Sequence, residues 1–169
     1  NQIAFSQSSG QFYFNFPDSG SYEITPDYLN YYNVTPVSHV INFSGINQID
    51  TLNNFSFQPT GTFNDLSIGI TPLGNFRTAM TGSYMLNYIN HGTTTIIPTV
   101  VFYPDQNLTY LNANPTPTTI NQDSITWNIG SLDPYHSGSI IISLDVAANL
   151  NIGDIINPGA LILPVVNDA

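Results

Sequence analysis

Asp133, His136 and Ser137 bring the three side-chain types of a hydrolytic triad into one short stretch. In a triad an imidazole takes the serine proton and a carboxylate orients the imidazole, beside a shaped oxyanion site. Triad members arrive from separate elements, whereas these three share a stretch with Pro134 and Gly138, which is turn chemistry. No Gly-x-Ser-x-Gly sequence occurs. His39, His91 and His136 lie far apart and lack ligand spacing of the His-x-x-x-His kind, so a strand edge or turn is expected for each. No phosphate loop is present, and the chain is not expected to be an enzyme.

The acids and the aromatics are the remaining candidates. Eleven acidic residues face Arg77 alone among lysines and arginines, for a net charge of −10. Calcium takes about six to eight oxygens from Asp, Asn and loop carbonyls. Asp65, near a domain junction, and Asp154, near the end, are the candidate calcium ligands, and Ca2+ is the one cofactor considered. No Asp-x-Asp-x-Asp-Gly loop is present, so solvated loop acids are the competing account. Tyr28, Tyr31 and Tyr32 form an aromatic cluster that either contacts a glycan or partner protein or covers the domain junction. Trp127 has the ring for sugar stacking, but it alternates with Ile125 and Ile129 and is therefore expected in the core.

The same composition excludes whole classes. With one Lys or Arg the chain lacks the cationic surface that displaces counterions, so it is not a nucleic-acid binder. An anionic membrane surface is disfavoured on the same ground, and no apolar run is long enough to span a bilayer. There is no cysteine, hence no disulfide or thiolate metal site. Charged residues make up 7%, so the exterior must be Asn, Thr, Ser and Gln, and stability must come from apolar burial and backbone ladders. A polar, lysine-free exterior fits an extracellular protein. The chain begins at Asn1 without a visible signal peptide, the form of a mature or trimmed secreted fragment.

The elements that would position these residues are strands. Phe12, Phe14 and Phe16 alternate with polar partners, then Pro17-Asp18-Ser19-Gly20 turns, so residues 11–25 predict a β-hairpin. Val40–Phe43 and Asn53–Phe57 are further strands, and Pro59-Thr60-Gly61 marks a domain boundary. Beyond it Leu66, Ile68 and Ile70 alternate, as do Tyr84, Leu86 and Tyr88 up to the turn Asn90-His91-Gly92. Thr93–Tyr103 reads as a long strand, bulged or at an edge because it carries Pro98. A short strand at Leu108–Leu111 and a loop at Asn114–Pro117 follow. Ile125–Ile129 and Ile140–Val146 predict two strands of one sandwich wall joined by a short loop, and Ala160–Val166 closes the block. The fold class expected is all-β: two tandem antiparallel β-sandwiches, residues 1–61 and 62–169.

Residues 64–169 resemble the conserved Ig-like repeat domain of Bacteroidota secreted and surface proteins. The resemblance rests on Asn64-Asp65-Leu66-Ser67-Ile68, Tyr84-x-Leu86-x-Tyr88-x-Asn90-x-Gly92-Thr93, Tyr103-Pro104, Leu108-Thr109-Tyr110, Pro115-x-Pro117, Ile125-Thr126-Trp127-Asn128-Ile129-Gly130 and Leu132-x-Pro134. Residues 5–59 resemble the later strands of a Cna-B or carboxypeptidase-regulatory-like, prealbumin-like domain, through Ser9-Gly10-Gln11-Phe12, Gly20–Ile24 and Asn54–Phe57. The pair resembles modules of type IX secretion cargo. Asp50-Thr51-Leu52 and Asp123-Ser124-Ile125 resemble the O-glycosylation motif of such proteins, which makes Thr51 and Ser124 candidate acceptors.

These resemblances imply a non-catalytic spacer or stalk that holds an adhesin or enzyme off the cell surface. Its partners would be other domains of the same or a neighbouring surface protein. The alternative is an adhesive or assembly module. If Asn1 begins the polypeptide, the first sandwich exposes an edge that a strand from another subunit could complete, and a glycan is the other candidate ligand.

Overall fold

The computed structural model describes residues 2–151 and 153–165. Twelve strands occur in them: β1 (Gly20–Ile24), β2 (Tyr32–Thr35), β3 (His39–Phe43), β4 (Ser56–Pro59), β5 (Leu66–Pro72), β6 (Thr81–Asn90), β7 (Thr99–Tyr103), β8 (Leu108–Asn114), β9 (Thr119–Ile120), β10 (Ile125–Asn128), β11 (Ser137–Val146) and β12 (Gly159–Leu163). The described residues contain no helix, and every registered strand pair is antiparallel. The chain divides into two compact units, Asn1–Gln58 and Pro59–Ala169.

In the second unit two four-stranded sheets, ordered β5-β6-β11-β8 and β12-β7-β10-β9, share one apolar core, consistent with a β-sandwich. The core follows from strand periodicity, because alternate side chains point to one face. On β11, Ile140, Ile142, Leu144 and Val146 are buried while Ser139, Ile141 and Asp145 are exposed. Across the ladder Ile140 faces Leu86 and Ile142 faces Tyr84. Gly138 faces Tyr88, and a side chain there would collide with the Tyr88 ring, so only glycine lets that ring lie across the strand.

Three expectations for this unit change. The strands expected at 125–129 and 140–146 do not form one wall. β10 pairs with β7 and β9, whereas β11 pairs with β6 and β8 in the other sheet. Alternation says which side of a strand faces the core, not from which sheet it faces it, so both arrangements satisfy the same pattern. The long strand at 93–103 is also shorter, and β7 is central in its sheet. Proline has no N–H to give a ladder. The strand accordingly begins after Pro98, whose carbonyl accepts from Ile129 N at 2.9 Å. Finally, β8 runs on to Asn114, and the register irregularity falls opposite it, between Ser143 and Leu144. The closing strand is β12, and Val166, expected at its end, lies outside the described residues.

The first unit is thinner, with two two-stranded sheets, β1-β3 and β2-β4. The hairpin expected over 11–25 does not form. β1 pairs instead with β3, from Gly20 opposite Phe43 to Ile24 opposite His39. Of its apolar side chains only Ile24 and Ile41 are buried. A row of rings supplies the remaining packing: Phe16 stacks on Tyr22 with centroids 4.0 Å apart, and Phe14 on Phe16 at 5.7 Å.

Ile141 and Ile142 test the sheet assignment with one chemistry on two faces. Ile142→Ala should cost about 2–5 kcal/mol, the range for a truncated core residue. Ile141→Ala, at a side chain 41% exposed, should stay within about 0.5 kcal/mol. Urea denaturation of both variants reads the difference.

Candidate functional site

β6 delivers Asn90 into the interior, in the same inward phase as Tyr84, Leu86 and Tyr88. It is the one buried polar side chain among the described residues. A buried amide must satisfy its donors and its acceptor or incur a large desolvation cost. Asn90 Nδ2 donates to Thr94 O at 2.7 Å and to Leu132 O at 3.0 Å, and Oδ1 accepts from Gly92 N at 3.0 Å. Its main chain is equally committed: Asn90 N donates to His136 O at 3.0 Å and Asn90 O accepts from Tyr135 N at 2.7 Å. One residue therefore ties β6 to the turn that follows it and to the loop crossing between the sheets.

The turn in turn fastens the segment that leads into β5. His91 N donates to Asp65 O at 2.7 Å and Thr93 N to Phe63 O at 2.9 Å. Thr93 Oγ1 accepts from Phe63 N at 2.9 Å and donates to Gly61 O at 2.8 Å, while Thr94 Oγ1 donates to Asn64 Oδ1. A Cβ on Gly92 would overlap Phe63 O, so the close approach requires glycine. The Asn-x-Gly-Thr sequence is thus a latch holding residues 61–65 against the sandwich.

Of the three residues with triad chemistry, Asp133 has a bonded side chain, and His136 and Ser137 are exposed. Asp133 Oδ1 accepts from Thr95 Oγ1 at 2.6 Å, and Asp133 O accepts from His136 N at 3.0 Å. Tyr135 takes a left-handed φ of 59° to close that turn. Ser137 opens β11 opposite Ile89. Trp127 is buried in the core, with Nε1 donating to Pro115 O at 2.9 Å, so the indole also anchors the 114–118 loop.

The candidate calcium ligands have different tasks. Asp65 is half-buried and its carbonyl belongs to the latch. Asp154 closes its own turn, its carboxylate accepting from Asn151 N at 2.7 Å. Among the described residues no three His, Asp or Glu side chains gather as a metal cluster. Sequence reasoning passed over Asp105, whose carboxylate is well engaged. Its carboxylate accepts from Asn107 N and Nδ2, both at 2.9 Å, and from Asn157 N at 3.0 Å. The Pro104-Asp105-x-Asn107 sequence is an Asx-turn signal that could have marked it. The Asn157 N–H, then the Asn107 N–H, hold the Asp105 pKa below its usual value. Burial, and secondarily the Asp105 charge, raise the pKa of Tyr84.

The other candidates scatter. Tyr28 is 79% exposed, whereas Tyr31 and Tyr32 are half-buried. Thr51 is exposed in a loop where Asp50 Oδ1 accepts from Leu52 N at 3.2 Å. Ser124 is half-buried in the β9–β10 turn, its carbonyl accepting from Asn121 N at 2.8 Å. The first unit also holds a cleft of about 550 Å³ that sequence reading missed. Phe12, Phe14, Phe16, Ile24, Ile41 and Phe43 line it, with Gln48, Asp50 and Asn54 among its polar groups. No protein-family model and no curated protein matches the chain.

Asn90→Ala should remove about 3 kcal/mol, since each buried partner left unpaired costs about 1–3 kcal/mol. Hydrogen exchange should then quicken first at Phe63 and Thr93 and last on β11. For Asp105 the depressed folded pKa means its stabilisation is present above the unfolded value, near 3.8. It is lost as pH falls through the lower folded value. Asp105→Asn should therefore flatten the fall in stability below about pH 4, read by thermal unfolding across pH 2–6 (about the range where carboxylates titrate).

Proposed function

We propose that the chain is a non-catalytic structural spacer of a secreted or cell-surface bacterial protein. The observation that carries this reading is the latch. The side chains of Asn90, Asp133, Trp127 and Asp105 are bonded to loops and turns of the second unit. A module built in this way holds its shape under load through main-chain ladders and fixed loops. The long β6–β11 ladder, from Ser137 opposite Ile89 to Asp145 opposite Thr81, is the largest of them. The charge-poor, Asn- and Thr-rich exterior suits an extracellular module, and the resemblance to Ig-like surface repeats points to the same role. On this reading Thr51 is the accessible acceptor for O-glycosylation, and Asp65 and Asp154 remain candidates for separate, weak Ca2+ contacts.

The test places the chain between a cell-surface anchor and a reporter epitope. The native chain should expose the epitope to antibody. A flexible Gly/Ser linker of equal residue count, which collapses to a coil, should expose it less. Equal exposure by the linker, or a hydrolytic activity abolished by His136→Ala, would overturn the spacer reading.

A further inference from the structure

From Gln11 to Phe16 the chain has the side-chain period of a strand without being in a sheet. Phe12, Phe14 and Phe16 are half-buried, and Gln11, Tyr13 and Asn15 are exposed. Among the described residues no backbone–backbone hydrogen bond involves Phe12 to Phe16. Only Asn15 O is engaged, by Gln2 Nε2 at 3.1 Å. The same three Phe rings form one wall of the cleft, and Ile24, Ile41 and Phe43 of the β1-β3 sheet form another. Open peptide groups can pair with an added extended segment, and an apolar cleft beside them can take its alternate side chains. The main chain supplies affinity and alternate side chains fill the cavity.

Charge narrows the guest. Residues 2–58 carry Asp18, Glu23, Asp27 and Asp50 and no Lys or Arg. Asp50 lines the cleft, and Asp18 lines a smaller hollow of about 250 Å³ that also borders Phe14 and Phe16. A second copy of this chain would bring a net charge of −10 and Arg77 alone to offset it, so like charges oppose self-pairing. We propose that the row 12–16 accepts an extended segment of a different polypeptide, apolar at alternate positions and flanked by Lys or Arg. This goes beyond the spacer reading and does not depend on it.

The probe is a peptide of about twelve residues in which Val and Thr alternate between paired lysines, a length that spans the row with both flanks. It should bind saturably and slow hydrogen exchange at the Phe12–Phe16 amides. A central proline, glutamates in place of the lysines, or Phe14→Ser should each weaken binding about tenfold. Should Phe14→Ser fail to fold, the proline peptide makes the same test on the native protein. Binding that leaves those amides unprotected, or that the proline or glutamate peptides match, overturns the proposal. So does protection of the same amides without peptide. If that protection grows with protein concentration, the occupant is a second copy; if it does not, the chain closes the row itself.

Discussion

A buried amide with no slack in its hydrogen bonding organises the larger unit. Asn90 sits where strand periodicity would place an apolar side chain, and the interior tolerates it because every polar atom of its head finds a partner. Those partners belong to the 91–95 turn and the 132–136 loop, so the cost of leaving any of them unpaired fixes all of these segments together. Apolar burial alone could not do this. Leu86 and Ile142 are indifferent to sliding by small distances, whereas an amide in a low-dielectric interior demands particular atoms at particular distances.

The same demand for particular partners acts on Asp133, whose carboxylate accepts from Thr95. The loop containing Asp133 and His136 crosses from one sheet to the other, and a crossing loop carries main-chain groups that no ladder satisfies. The Asp133 carbonyl, the turn closed by left-handed Tyr135, and the main chain and amide of Asn90 satisfy them. Asp105 performs the same service between the β7–β8 connection and the stretch before β12.

How much of this could be read from the residues depends on what alternation encodes. The inward rows of β6 and β11, the turn at Asn90-His91-Gly92 and the interior placement of Trp127 were all legible, because a period of two assigns each side chain to a face. Partnership was not: β10 and β11 look like a hairpin in sequence and lie in opposite sheets, and Gly20–Ile24 prefers β3 to the nearer Phe-rich row. Those choices are set by long-range pairing and by how loops cross, which leave no local trace. The turn that Asp105 makes with Asn107 was open to reading as a local signal, but its donor at Asn157 reaches it only through the fold. The cleft was illegible for a different reason: alternating phenylalanines predict a packed face but not whether enough chain lies opposite to fill it.

The indole that anchors the 114–118 loop has one more property. Trp127 is the chain's single tryptophan and lies in the interior of the second unit, whereas the first unit has only tyrosine and phenylalanine. Emission excited at the red edge of protein absorption therefore reports one half of the molecule and is blind to the other. The melting of the second unit can be followed by itself in the intact polypeptide, without cutting or tagging it.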